Sequence, residues 1–294
     1  MASVYFFIVL GFLAKRIFKD DINDKTLILL SIYFLQPILT FWGLTRVELN
    51  YNLIYTPFLY FIIVTTVLIF SFTMARYISK DKKDQSIFIA SSLIGNTGNL
   101  GIPLGIALFG IESVAYTSMI NIANIFFIYT IGIYFYAKSK FNLQSSFKNI
   151  VKIPILWFAL FALIFNYFGF TIHSQIDTLL EMGAYSAIVL QLLIFGIYLS
   201  GVTFKSINYT LTITSSTVKL ILLPLVGFIV LVLLDVDKMI ASILIMQLLV
   251  PLAVNNVNMA SLYDCKPYDV TMIVIASSIL FIPLLFLYIQ LIGF

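Results

Sequence analysis

SSLIGNTGNLGIPLG, Ser91–Gly105, lies inside an apolar run, 86–110, that is long enough to cross a bilayer. Within it stand Asn96, Thr97 and Asn99, four glycines (Gly95, Gly98, Gly101, Gly105) and Pro103. Glycine and proline both weaken a helix interior, and proline also removes a backbone donor. In hydrocarbon no water replaces a lost backbone partner, so a broken helix survives there only when it is buried in protein or lines a cavity. Discontinuous helices of this kind hold the substrate sites of many transporters. The alternative, a glycine-rich packing helix with a proline kink, does not need two amides and a hydroxyl within four residues.

The rest of the chain has the composition this implies. Of 294 residues, 61% are hydrophobic and 10% charged, against about 25% charged in soluble domains. Windows of about 20 apolar residues predict an all-α polytopic membrane protein with ten spans: 2–14, 26–45, 56–75, 86–110, 113–137, 152–169, 178–200, 212–234, 238–262 and 268–292. The first span is short. No basic residue precedes its apolar run, so it does not have the pattern of a secretory signal peptide.

A second interruption falls in the ninth span, where MQLLVPLAVNNVNMASLY carries Pro251 followed by Asn255, Asn256 and Asn258. Pro103 and Pro251 are 148 residues apart, half the chain, and each lies in the fourth span of a five-span half. Five is odd, so the halves enter the membrane with opposite orientation. The layout predicts two inverted repeats, 1–137 and 152–294, joined by the short loop 138–151, with the paired interruptions marking the binding site.

Basic residues orient the chain. Loops after odd-numbered spans hold fourteen of the seventeen Lys and Arg residues, whereas loops after even-numbered spans hold Arg46 and Lys238. Odd loops are therefore cytoplasmic and both termini extracytoplasmic. The +4 net charge reflects this asymmetry rather than a nucleic-acid surface. The remaining cation, Lys219, falls inside the eighth span. It either snorkels to the inner interface or faces an inward cavity and draws in an anion.

Enzyme chemistry finds no support. The thirteen acids sit in loops or at helix ends, and none falls in either interruption. One histidine, His173, and one cysteine, Cys265, cannot build a His-paired or multi-thiolate metal site. Without an intramembrane carboxylate, uniport or sodium coupling is favoured over carboxylate-mediated proton coupling. Ser31, Gln36, Gln191 and Gln247 are expected to act as interhelical glue. Asn121 and Asn124, three apart on one helical face, are second-rank site candidates, and most of the tyrosines and phenylalanines are expected to face lipid or the interfacial belt.

GNTGNLGIPLG in the fourth span, PLAVNN with a downstream MA in the ninth, KLILLP in the eighth and Asn124 before an apolar run ending in Gly132 resemble the auxin efflux carrier (PIN-like) family. That family includes bacterial malonate and other organic-anion permeases. The resemblance implies a scaffold of spans 1, 2, 6 and 7 and a moving transport domain of spans 3–5 and 8–10. It also implies spans four and nine crossing at Pro103 and Pro251, a homodimer, and elevator-type motion in the cell membrane. The plan is similar to the bile-acid/sodium symporter and sodium/proton antiporter folds. The short first span and short central loop depart from the family pattern, so regulation through a long phosphorylated loop is not carried over. Expected substrate-site residues are Asn96, Thr97, Asn99, Pro103, Asn121, Asn124, Lys219, Pro251, Asn255 and Asn256, with a small mono- or dicarboxylate as substrate and no metal or cofactor. A sodium-coupled symporter and a membrane ligand sensor that moves nothing are the alternatives.

Overall fold

Inside hydrocarbon each backbone N–H and C=O must be satisfied within the protein, so long apolar runs become helices. A computed structural model describes residues 2–137, 151–200 and 208–292; Lys205 and all but Val151 of the central loop 138–151 lie outside the described residues. The helices are α1 (Ala2–Phe18), α2 (Asp24–Thr45), α3 (Tyr51–Ile78), α4 (Lys82–Ser91), α5 (Thr97–Phe109) and α6 (Ser113–Ala137). They continue with α7 (Pro154–Tyr167), α8 (Ser174–Ser200), α9 (Tyr209–Leu233), α10 (Lys238–Leu249), α11 (Asn255–Leu262) and α12 (Pro267–Ile292). Helices α2, α3, α6, α8, α9 and α12 are long and apolar enough to cross a membrane, and α5, α7 and α10 are shorter apolar helices. The architecture is that of a polytopic, all-helical membrane protein.

Local chemistry accounts for the boundaries. The side chains of Asn23, Asp81, Asn208 and Asp237 accept from the first-turn amides of α2, α4, α9 and α10, filling the N-cap role of short polar side chains. Helix α1 runs on to Phe18 instead of stopping at residue 14. Lys15 can remain helical because its ammonium bonds the Ile22 carbonyl at 3.0 Å and pairs with Asp24 at 2.8 Å. Widened π-type turns precede Pro37, Pro103 and Pro224. Such turns make room for a proline ring that would otherwise meet the carbonyl one turn back.

The chain divides into two compact units. The first comprises Met1–Tyr55, Gly98–Ile122 and Val151–Val202. Its helices α1 and α8 touch at backbone distance. A Cβ on Gly11 would come 2.1 Å from the Leu193 carbonyl oxygen, and one on Gly196 would come 1.9 Å from that of Ile8. Small residues permit this approach where hydrophobic driving force between helices is weak. Leu39, Trp42, Ile102, Val114, Ala184 and Ala187 form the core of the unit. Above it, Arg46 bonds both carboxylate oxygens of Asp177 at 3.0 Å and lies over the Trp42 ring.

The second unit comprises Thr56–Thr97, Ala123–Ile150 and Thr203–Phe294. At one end an ion cluster ties its loops together. The Lys266 ammonium reaches Asp81 at 2.6 Å and Asp84 at 2.5 Å, and Lys83 pairs with Asp264 at 3.3 Å. Partial desolvation works against the Lys266 charge, but the bonds to Asp81 and Asp84 outweigh it and raise its pKa above the ordinary lysine value. The same bond from Lys266, helped by the Lys83 amide, holds Asp81 below the usual carboxylate range.

Candidate functional site at the meeting of two broken helices

The windows 86–110 and 238–262 are each interrupted, giving α4 then α5 and α10 then α11. Within the second unit the two interruptions are joined. Gly95 and Leu252 form an antiparallel bridge. The Asn96 amide donates to the Pro251 carbonyl at 2.8 Å, and the Ala253 amide to the Ile94 carbonyl at 3.2 Å. Each broken strand thus supplies backbone partners that the other lost when its helix ended.

Side chains complete the account. Asn124 Nδ2 donates to the Gly95 carbonyl at 2.8 Å and to Thr97 Oγ1 at 2.9 Å, while its Oδ1 accepts from the Tyr60 hydroxyl at 2.9 Å. Ser277 Oγ accepts from the Leu252 amide at 3.2 Å. Asn256 Nδ2 donates to the Ala253 carbonyl at 2.8 Å, and its Oδ1 accepts from the Tyr136 hydroxyl at 3.1 Å. Buried backbone groups left unpaired cost about 1–3 kcal/mol each, so these asparagines make the break affordable at membrane depth. Asn96 differs: it is 5% exposed, yet its Nδ2 reaches no partner among the described residues. It therefore holds a spare donor at the crossing.

Lys219 sits on the π-type turn of α9 and is 1% exposed. It does not snorkel. Its ammonium donates to the Leu248 carbonyl at 2.5 Å, at the C-terminal end of α10. A Cβ at Gly95 would fall 3.2 Å from the same nitrogen and 3.0 Å from Val250. A side chain at 95 would crowd the lysine, which accounts for the glycine. No carboxylate among the described residues pairs with Lys219. Helices α4 and α10 both end at this crossing, and helix C-termini carry partial negative charge. The ammonium offsets the charge at α10.

The remaining candidates distribute as follows. Pro251 is at the crossing through its carbonyl, and Asn255 opens α11, half-buried. Pro103, Asn99 and Asn121 belong to the first unit. Asn99 Oδ1 accepts there from Gln36 Nε2 at 3.0 Å, and the amide of Asn121 lies against Gly98. In the first broken segment the residue that pairs at the crossing is Gly95, not Pro103, because the extended backbone needed for pairing ends before α5 starts. Tyr60 and Tyr136 are buried and bonded to Asn124 and Asn256, exceptions to the expectation for most tyrosines. One expectation needs correction. The amides of Gln191 and Gln247, expected to bridge helices, are fully buried with no partner for either polar atom among the described residues. Gln247 immediately precedes the carbonyl that Lys219 holds.

Interrupted helices joined back to back inside an otherwise apolar helical protein are the arrangement in which many membrane transporters hold their substrate. The comparisons agree. The family model described as "membrane transport protein" matches residues 1–289, and the chain belongs to that auxin efflux carrier-like family. It is similar to an uncharacterized transporter of Methanocaldococcus jannaschii, with 25% identity over 272 residues, covering 89% of this chain and 87% of that one. The family is one of transporters rather than enzymes.

Proposed function

We propose that the protein carries small organic anions, mono- or dicarboxylates, across the cell membrane by elevator-type alternating access. The observation that carries this reading is the crossing itself: a buried ammonium with no carboxylate partner, an uncommitted Asn96 donor, and the N-terminus of α11 in the same unit. Donors, a cation and a helix N-terminus all favour a carboxylate. A sodium-coupled symporter would use the carbonyl ends of broken helices for its ion. At the α10 end a lysine already holds that place, which favours the sodium-independent reading.

The reading includes ten spans in two inverted five-helix repeats, a homodimer, and both termini outside. Ion pairs support the layout. Lys83–Asp264 and Lys266–Asp81 join loops after the third and ninth spans, and Arg46–Asp177 joins loops after the second and sixth. Odd loops pair with odd and even with even, as same-side loops must. The first unit gathers spans 1, 2, 6 and 7, the proposed scaffold, together with Gly98–Ile122.

The test is counterflow in proteoliposomes with labelled malonate, succinate, lactate and an indole carboxylate, with and without a sodium gradient. Saturable exchange of at least one carboxylate that ignores sodium is the expected result. Exchange that requires sodium would turn the assignment to the symporter, and absence of flux despite measurable binding would turn it to a sensor.

A further inference from the structure

We propose that a cleft between α3, α4 and α6 in the second unit is a binding site for the headgroup of an anionic phospholipid. The cleft has a volume of about 310 Å3, and its walls include Phe72, Arg76, Lys82, Gln85, Tyr134 and Phe135. Two of these are cations, and no acid among the described residues lines it. Arg76 closes the last turn of α3 and Lys82 opens α4, so the charges come from two helices that meet at the membrane boundary. No carboxylate among the described residues pairs with Arg76. The nearby acids are engaged elsewhere, since Asp81 and Asp84 are both held by Lys266.

The surroundings favour a lipid over a free anion. On α3 the residues Ile62, Thr65, Ile69, Phe72 and Arg76 follow one another at spacings of three and four, and all five are exposed. They form one helical face that is apolar along its length and cationic at its end. A phosphate held at Arg76 and Lys82 places its acyl chains on Phe72 and Ile69. A soluble anion gains nothing from that stripe. Basic pockets between transmembrane helices take acidic headgroups in this manner, each cation contributing about fivefold to affinity at a charged leaflet.

The experiment is native mass spectrometry of the detergent-purified protein titrated with phosphatidylglycerol, phosphatidylcholine or glycerol 3-phosphate. Wild type should retain phosphatidylglycerol roughly 25-fold better than phosphatidylcholine. Arg76→Gln with Lys82→Gln should abolish that preference, whereas Lys238→Gln, at the start of α10 and away from the cleft, should leave it intact. A second measurement avoids any loss of folding in the double variant. Phe72→Trp, in nanodiscs, should be quenched more by brominated phosphatidylglycerol than by brominated phosphatidylcholine. Equal quenching by the two lipids, or an unchanged preference in the double variant, would overturn the site. Displacement of phosphatidylglycerol by equimolar glycerol 3-phosphate would overturn the lipid assignment and leave a site for soluble anions.

Discussion

The Lys219 ammonium and the Leu248 carbonyl are 2.5 Å apart in the buried interior of the second unit. A side chain from α9 thereby closes the C-terminal end of α10 just before that helix breaks. A charge alone at this depth costs about 2.5–3.5 kcal/mol on insertion scales. The carbonyl dipole lowers that cost.

Lys219→Gln keeps a donor of similar reach and removes the charge. Transport should fall at least tenfold while the purified protein stays monodisperse. Lys219→Arg, which keeps a cation at that place, should retain much of the transport. The measurement is initial-rate counterflow. A Gln variant that exchanges substrate at the wild-type rate would reduce Lys219 to a helix cap.

Asn124 is the side chain on which the first break depends most, since it makes three bonds to Gly95, Thr97 and Tyr60. Asn124→Leu leaves at least one buried group unpaired and should destabilise by about 1–3 kcal/mol for each. Tyr60→Phe removes a single donor and should cost less. Thermal unfolding followed by tryptophan fluorescence or size exclusion orders the two. Should the two variants melt alike, Asn124 is not the clamp described.

Much of this was legible from residue types alone. Apolar length located the six long apolar helices, and glycine, proline and asparagine in 91–105 and 251–258 located both breaks. The partners were not legible, because they are set by packing between distant segments. Tyr60 did leave a signal: a tyrosine ten residues into α3 is too deep for an interfacial belt, so its hydroxyl needs a buried partner. Gly95 could not be singled out among four neighbouring glycines, since only the approach of Lys219 distinguishes it. The asparagines look equivalent in sequence, and hydrogen bonding separates them into Asn124 and Asn256, which are spent on structure, and Asn96, which is not.

The loop pairings give the orientation a direct test. With Cys265→Ala as background, single cysteines at Glu112 and Lys238 should react with an impermeant maleimide in intact cells, and one at Lys80 only after permeabilisation. All three positions are exposed. Labelling at Lys80 in intact cells would reverse the assignment of sides, which rests on the distribution of lysine and arginine.

The division among the asparagines yields the sharpest test of the site. Asn96 donates its backbone amide to Pro251 and keeps Nδ2 unbonded, whereas Asn256 commits Nδ2 to the Ala253 carbonyl and Oδ1 to Tyr136. Asn96→Ala removes a donor the fold does not use, so thermal stability should change little. If that donor meets the carboxylate, affinity should drop by about 5- to 150-fold, corresponding to roughly 1–3 kcal/mol for a buried hydrogen bond. Asn256→Ala strips partners from Ala253 and Tyr136, so it should lower the melting temperature first and affect transport through the deformed crossing. Equilibrium binding and thermal unfolding, measured on both variants, separate the two effects. Loss of stability in Asn96→Ala without loss of affinity would move the substrate away from this crossing and leave Asn96 a structural residue like its neighbours.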